Sequence, residues 1–233
     1  MQREDDRIIA VEGGCVCALG DRSSAYEILA RFFGGSAHGL GATVAPLLHA
    51  TRTCQTQPYI DQAAIDVTAV AAADALEDEA GEKAFENTRR SLIGGVDGFD
   101  PFLHAVPANE CVFVGGDICT AQVRAHYQAA GYAAPDTLNA CAGDDHIAIE
   151  LDFMRFLLER VETGRTDAAG CASRFFADHL SAWAVLFAVV VSRGAEHPGL
   201  RLAGLVLDKF IACEAVTFRH AVPAHCALRG PAE

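Results

Sequence analysis

Apolar residues recur along this chain at the three-to-four-residue spacing of a helix face, and nowhere with the sustained alternation of a strand. Ser23 or Ser24 can cap a first helix carrying Tyr26, Ile28, Leu29, Phe32 and Phe33, which Gly34-Gly35 stops. Residues 36–60 mix Gly, Pro and Thr and hold no lasting pattern. An Ala-rich stretch over 61–76 follows, then a helix from Glu77 to Ile93 ending at Gly94-Gly95. Val96 to Pro107 reads as loop, and Ile118 to Ala130 as a helix closed by Gly131. Residues 132–143, with Pro135, Asn139 and Gly143, read as a linker. Beyond it Ile147, Leu151, Met154 and Leu158 share one helix face, and further helices are expected over 168–192 and 199–219. The expected fold is all-α: one globular helical bundle, with an N-terminal subdomain (1–131), a hinge (132–143) and a C-terminal subdomain (144–233).

With 233 residues, about half of them apolar, the chain can bury roughly three-quarters of its unfolded surface in one core. Acidic residues outnumber basic ones by 31 to 18, for a formal charge of −13. That balance speaks against nucleic-acid and anionic-lipid partners and favours cationic ones. The first ten residues carry acids where a secretory leader would be basic, so the expected location is cytoplasmic. The longest apolar run, Ala182 to Val191, is half the length a bilayer requires and reads as a buried helix, so stable membrane insertion is not expected.

Nine cysteines stand at 15, 17, 54, 111, 119, 141, 171, 213 and 226, without a Cys-x-x-Cys. The scatter argues for reduced thiols used as small core residues. Cys15-Val-Cys17, as a redox pair, is the lesser alternative.

Candidate chemistry gathers at Asp144-Asp145-His146, just ahead of the helix that starts near Ile147. Either aspartate can cap that helix by accepting its orphan N–H groups. His146 and Glu150, at i and i+4, form half of a metal site, but no His-Glu-x-x-His completes it. No Gly-x-Ser-x-Gly elbow, Walker A loop or Gly-x-Gly-x-x-Gly is present, so no catalytic residue, metal or cofactor is assigned. Recognition of another chain is the third reading of the motif.

Several segments in order resemble one family. Asp145-His146 followed by Ile147-Ala-Ile-Glu150-Leu151-Asp-Phe153-Met154-Arg-Phe-Leu157 is similar to the Glu-Pro-x-Asp-His hinge and following helix of the TorD/DmsD/NarJ-type chaperones, with Ala142 and Gly143 in place of Glu and Pro. Phe176-Ala-Asp-His179-Leu180-Ser-Ala-Trp183 resembles their His-Leu-x-x-Trp helix. Glu110-Cys111-Val112-Phe113, the Val123–Gly131 helix and Leu92-Ile93-Gly94 match weaker family segments.

The resemblance implies a cytoplasmic, non-enzymatic chaperone. It would bind the twin-arginine signal peptide, or the apo form, of a DMSO-reductase-type molybdoenzyme subunit and hold it from export until its cofactor is inserted. A homodimer exchanging C-terminal helices is a further partner state that the resemblance admits. The implied peptide site is Asp145 and His146 with Leu92, Ile93, Asn109, Glu110 and Phe113. His179 and Trp183 are expected chiefly as core packing.

Three alternatives remain: a NarJ-like chaperone for a client that is never exported, a helical metal-dependent hydrolase built on His146, Glu150, Asp178 and His179, and a plain ligand-free scaffold. Thr88-Arg89-Arg90-Ser91-Leu92-Ile93 itself resembles a twin-arginine consensus, but two arginines in a last helical turn are accounted for by the helix dipole.

Overall fold

A computed structural model describes residues 19–52, 62–93, 106–138, 141 and 143–221. Within them the chain is all-helical, and the single backbone bridge of β type joins Asn109 to His146. In chain order the helices are α1 (Leu19–Gly34), α2 (Val44–Arg52), α3 (Gln62–Ala75), α4 (Glu79–Ile93), α5 (Glu110–Val114), α6 (Asp117–Ala130), α7 (Ile147–Glu162), α8 (Thr166–Phe175), α9 (Ser181–Gly194) and α10 (Pro198–Ala221). One π-helical turn, Phe176–Leu180, joins α8 to α9.

Several boundaries differ from expectation, each for a local reason. Helix α1 starts at Leu19, so Ser23 and Ser24 lie inside it. Helix α4 starts at Glu79, because Asp78 accepts from the Gly81 N–H at 2.8 Å and thereby caps it. Helix α2 was not expected; its Pro46 sits in the first turn, where a missing N–H costs nothing. Helix α6 ends as expected, at Gly131 with φ +66°. Of the linker, 136–138 form a short 3-10 turn.

The core is shared between the early and late helices. Helix α1 packs along α7, and α10 packs against α9 and α3. The α1–α7 approach is close at Gly34, where an added Cβ would stand 2.4 Å from Cys141 Sγ and 2.5 Å from the Ala148 methyl. Rings fill the interior: Phe33 meets Phe187 edge-on at 5.2 Å, and Tyr26 meets Phe210 at 4.7 Å. Across α1 and α10, Arg22 makes a two-pronged pair with Glu214 at 2.7 and 2.8 Å, and the Tyr26 hydroxyl donates to Glu214 at 2.9 Å. Arg89 is not left to the dipole of its own helix. It donates to the carbonyls of Arg31, Phe32 and Gly35, closing the C-terminal end of α1.

Cys111, Cys119, Cys141 and Cys171 are free, whereas Cys213 is disulfide-bonded, which departs from the expectation of reduced thiols throughout. The helical stretch Asp167–Gly194 is long and apolar enough by composition to cross a bilayer; half of its most apolar window is buried inside the fold.

Candidate functional site

Two backbone segments meet side by side ahead of α5 and α7. Glu110 N–H donates to the Asp145 carbonyl at 2.9 Å, and Ile147 N–H to the Ala108 carbonyl at 2.8 Å. This pairing sets Asn109 opposite His146 and turns the Asp145 carboxylate toward α5. There Asp145 accepts from the Cys111 N–H at 3.0 Å and from Asn109 Nδ2 at 3.2 Å. Burial works to raise its pKa, but those hydrogen bonds outweigh it and hold Asp145 below the usual carboxylate range.

The capping roles are therefore not those expected. Asp145 serves the first turn of α5, and His146 caps α7 by accepting the Ala148 N–H on Nδ1 at 3.2 Å. Acceptance at Nδ1 leaves the proton on Nε2. Burial pushes the His146 pKa down to about 4, so the ring is neutral at pH 7. Asp144 points outward to Arg124 at 2.6 Å, while its carbonyl accepts from the Tyr127 hydroxyl. Gly143 has φ +91°, a conformation closed to the proline that the family signature places there, and an added Cβ would crowd Asn109 and Asp145 at 2.9 Å. Ala142 lies outside the described residues.

Beneath α5 the side chains form a second, deeper layer. The Glu110 carboxylate lies 2.9 Å from His179 Nδ1, and both side chains are buried. The π turn holds His179 there; the one extra residue per turn rotates it out of the register of α8. From α7, Glu150 Oε2 accepts from Trp183 Nε1 at 3.3 Å. Burial drives the Glu150 pKa well above the ordinary carboxylate value, and the adjacent Glu110 charge adds to the effect. Both effects push Glu150 toward its neutral form. Its Oε1 has no hydrogen-bond partner. From α6 the Cys119 thiol hydrogen-bonds Glu110, and burial raises its pKa far above the free-thiol value. Over this layer lies Phe113 of α5, its ring 5.3 Å from that of Trp183 and 6.4 Å from that of Phe187.

Of the seven expected peptide-site residues, Asn109, Glu110, Asp145 and His146 are brought together and are buried. Phe113 lies beside them and is half-buried. Leu92 and Ile93 end α4 instead: Ile93 is core, the Leu92 carbonyl accepts from Val106 N–H, and the Leu92 side chain lies against Gly194. The hydrolase quartet is not assembled, since His146 turns to its own helix end and Asp178 is exposed. Cys119 was missed; only its place near Glu110 on the next helix marks it. Exposed apolar side chains occur on α5 and α6, at Val112, Val114 and Ile118, and on α9, at Leu186 and Val190.

The family model described as nitrate reductase delta subunit matches residues 63–189, just over half of the chain, from the start of α3 to within α9 and including the segments that build this corner. Among curated proteins, none matches.

Proposed function

The chain belongs to the nitrate reductase delta subunit family, whose members are assembly chaperones for molybdoenzymes, and from that premise we propose that it holds the twin-arginine signal peptide and the apo form of a molybdoenzyme catalytic subunit before export. The binding corner is Asp145, His146, Asn109, Glu110 and Phe113, without Leu92 and Ile93, which end α4 apart from it, and the work is done in the cytoplasm. In the closed form the Asp145 and Glu110 carboxylates are fully engaged by protein partners. Helix α5 is only five residues long and is followed by Gly115 and Gly116, both at positive φ, so it is the piece that can lift. Lifting releases two carboxylates for guanidinium groups, which pair with them in two-pronged fashion. The same motion uncovers Trp183 and Phe187 for the peptide's apolar stretch. A hinge at 132–143, between halves 1–131 and 144–233, gives the larger opening a folded client requires, and exchange of the C-terminal halves gives a swapped dimer.

The observation that supports this reading best is that Asp145 caps α5 from 34 residues away, so its carboxylate links closure of the corner to what the corner can bind. Calorimetric titration with a twin-arginine leader peptide tests it. Binding should weaken with salt, by at least tenfold when both arginines become lysines, and similarly in Asp145→Asn, whose fold is checked by circular dichroism. Affinity indifferent to the arginines would sink this reading. The family's own description supports a second one, assembly of a client that is never exported. It is favoured if the leader fails to bind while the amino-terminal segment of a nitrate reductase catalytic subunit does.

A further inference from the structure

We propose that Glu110, Cys119 and His179, joined by Glu150, form a closed binding site for a divalent transition metal, with Zn2+ the best fit. The inference does not depend on the peptide reading: the metal-bound state is one in which Glu110 holds α5 down, and the lifted state is metal-free. Glu110, Cys119 and His179 each turn one ligand atom to a common point, all within 4.8 Å of one another, and all three residues are buried. They come from three separate places in the chain: α5, α6 and the π turn.

A second observation points the same way. Glu150 is completely buried, and its Oε1 is the one buried side-chain oxygen or nitrogen among the described residues that receives no hydrogen bond. Its neighbours at this point, Glu110 and Cys119, are acidic. Lysine and arginine contribute nothing here: among the described residues neither Glu110 nor Glu150 pairs with either. Such a constellation is satisfied only by protons held between the acids or by a cation.

The donor set favours the cation and narrows its kind. One thiolate, one imidazole and two carboxylates suit a borderline ion that accepts sulfur, nitrogen and oxygen together, which Ca2+ and Mg2+ do not. A tetrahedral Zn2+, with bonds of about 2.0–2.3 Å, separates its ligands by roughly 3.3–3.8 Å. The 2.9 Å between Glu110 and His179 opens slightly to reach that, and the other separations in the triad, all within 4.8 Å, close by about 1 Å; Glu150 stands outside the triad and completes the set by turning its unpartnered oxygen inward. An outer layer is in place: Trp183 Nε1 fixes the far oxygen of Glu150, and the His126 ring lies edge-on to His179 at 5.2 Å. Four protein ligands and deep burial leave no open position, so the site is structural, not hydrolytic. Binding displaces the Cys119 and Glu150 protons.

The test uses the full-length protein, reduced and stripped with chelator, then titrated with Co2+ and Zn2+. One equivalent of Co2+ should bind per chain and give a thiolate-to-cobalt charge-transfer band. That band should vanish in Cys119→Ser and persist in Cys171→Ser. Zn2+ should raise the thermal midpoint of the wild type and leave that of Cys119→Ser unmoved. Glu150→Gln, which keeps the shape, should weaken Zn2+ binding at least tenfold and serves if Cys119→Ser misfolds. No band together with no Zn2+-dependent rise would mean that the cluster is held by protons alone. A band that survives Cys119→Ser would place the metal elsewhere. Either result overturns the proposal.

Discussion

The cluster of Arg22, Tyr26 and Glu214 between α1 and α10 and the cluster of Glu110, Glu150, Cys119 and His179 beneath α5 are both buried, yet they meet the cost of burial in opposite ways. In the first, every polar atom faces a partner of opposite character: a guanidinium grips both oxygens of one carboxylate, and a phenol donates to it. In the second, acids face acids. Burial and the neighbouring charge push one carboxyl toward its neutral form, and one of its oxygens has no hydrogen-bond partner. Burying a charge is tolerable when it is paired and costly when it is not. A chain that keeps both kinds in one core retains the second for something other than stability, and that second cluster lies where the family match and the resemblance converge.

The largest effect that sharpens the contrast is Glu214→Ala. It removes the carboxylate that the Arg22 guanidinium and the Tyr26 hydroxyl share in the core, and should cost about 3–5 kcal/mol in urea unfolding. A loss under about 1 kcal/mol would show that the pair is a surface-like contact and erase the difference between the two clusters.

The next effect is a pH dependence. The His146 pKa falls from an ordinary 6.5 to about 4 on folding, so the unfolded chain takes up a proton that the folded one refuses. That contribution is complete above pH 6.5 and is lost as pH falls from 6.5 to about 4, to an extent on the order of 3 kcal/mol. Asp145 and Arg89 act on the ring in opposite senses. Glu150, whose pKa is raised by burial, runs the other way and contributes less as pH rises above its unfolded value of 4.5. The clean readout is therefore the difference between the wild type and His146→Asn, since Asn also caps. That difference should grow toward neutral pH across this window; a flat difference would mean that folding leaves the His146 pKa unshifted.

The smallest effect is Glu150→Gln in chelator. Removing the carboxyl removes the cost of holding it neutral, so the thermal midpoint at pH 8 should rise and the gain should shrink toward pH 5. The matching change at the compensated cluster, Glu214→Gln, should lower the midpoint at both pH values. Loss of stability in both variants would make the clusters alike.

What could be read from the sequence divides along the same line. Helices α1, α6, α7 and α10 announce themselves because a long apolar stripe at helical spacing has few other readings. Helix α5 does not, since five residues hold little more than one turn of pattern. The π turn is invisible to any reading that assumes 3.6 residues per turn. Asp145 and His146 stand out in the sequence, but their hydrogen-bond partners do not. A cap is ordinarily sought on the next helix, whereas the Asp145 carboxylate reaches back to Cys111. His179 and Trp183 look like core residues because they are buried, and only the fold reveals that each also holds a carboxyl of the corner.

The central claim, that α5 is a movable cover over a peptide-binding corner, has a built-in reporter. Trp183 is the only tryptophan in the chain; its ring lies against Phe113 of α5, and its indole N–H donates to Glu150. The most direct measurement is Trp183 fluorescence during titration with a tryptophan-free twin-arginine leader peptide, alongside calorimetry on the same samples. A saturable change in emission, tracking the calorimetric isotherm and lost with a lysine-substituted peptide, is the expected result. Heat of binding with emission unchanged to saturation would mean that the peptide binds elsewhere, and would contradict the claim.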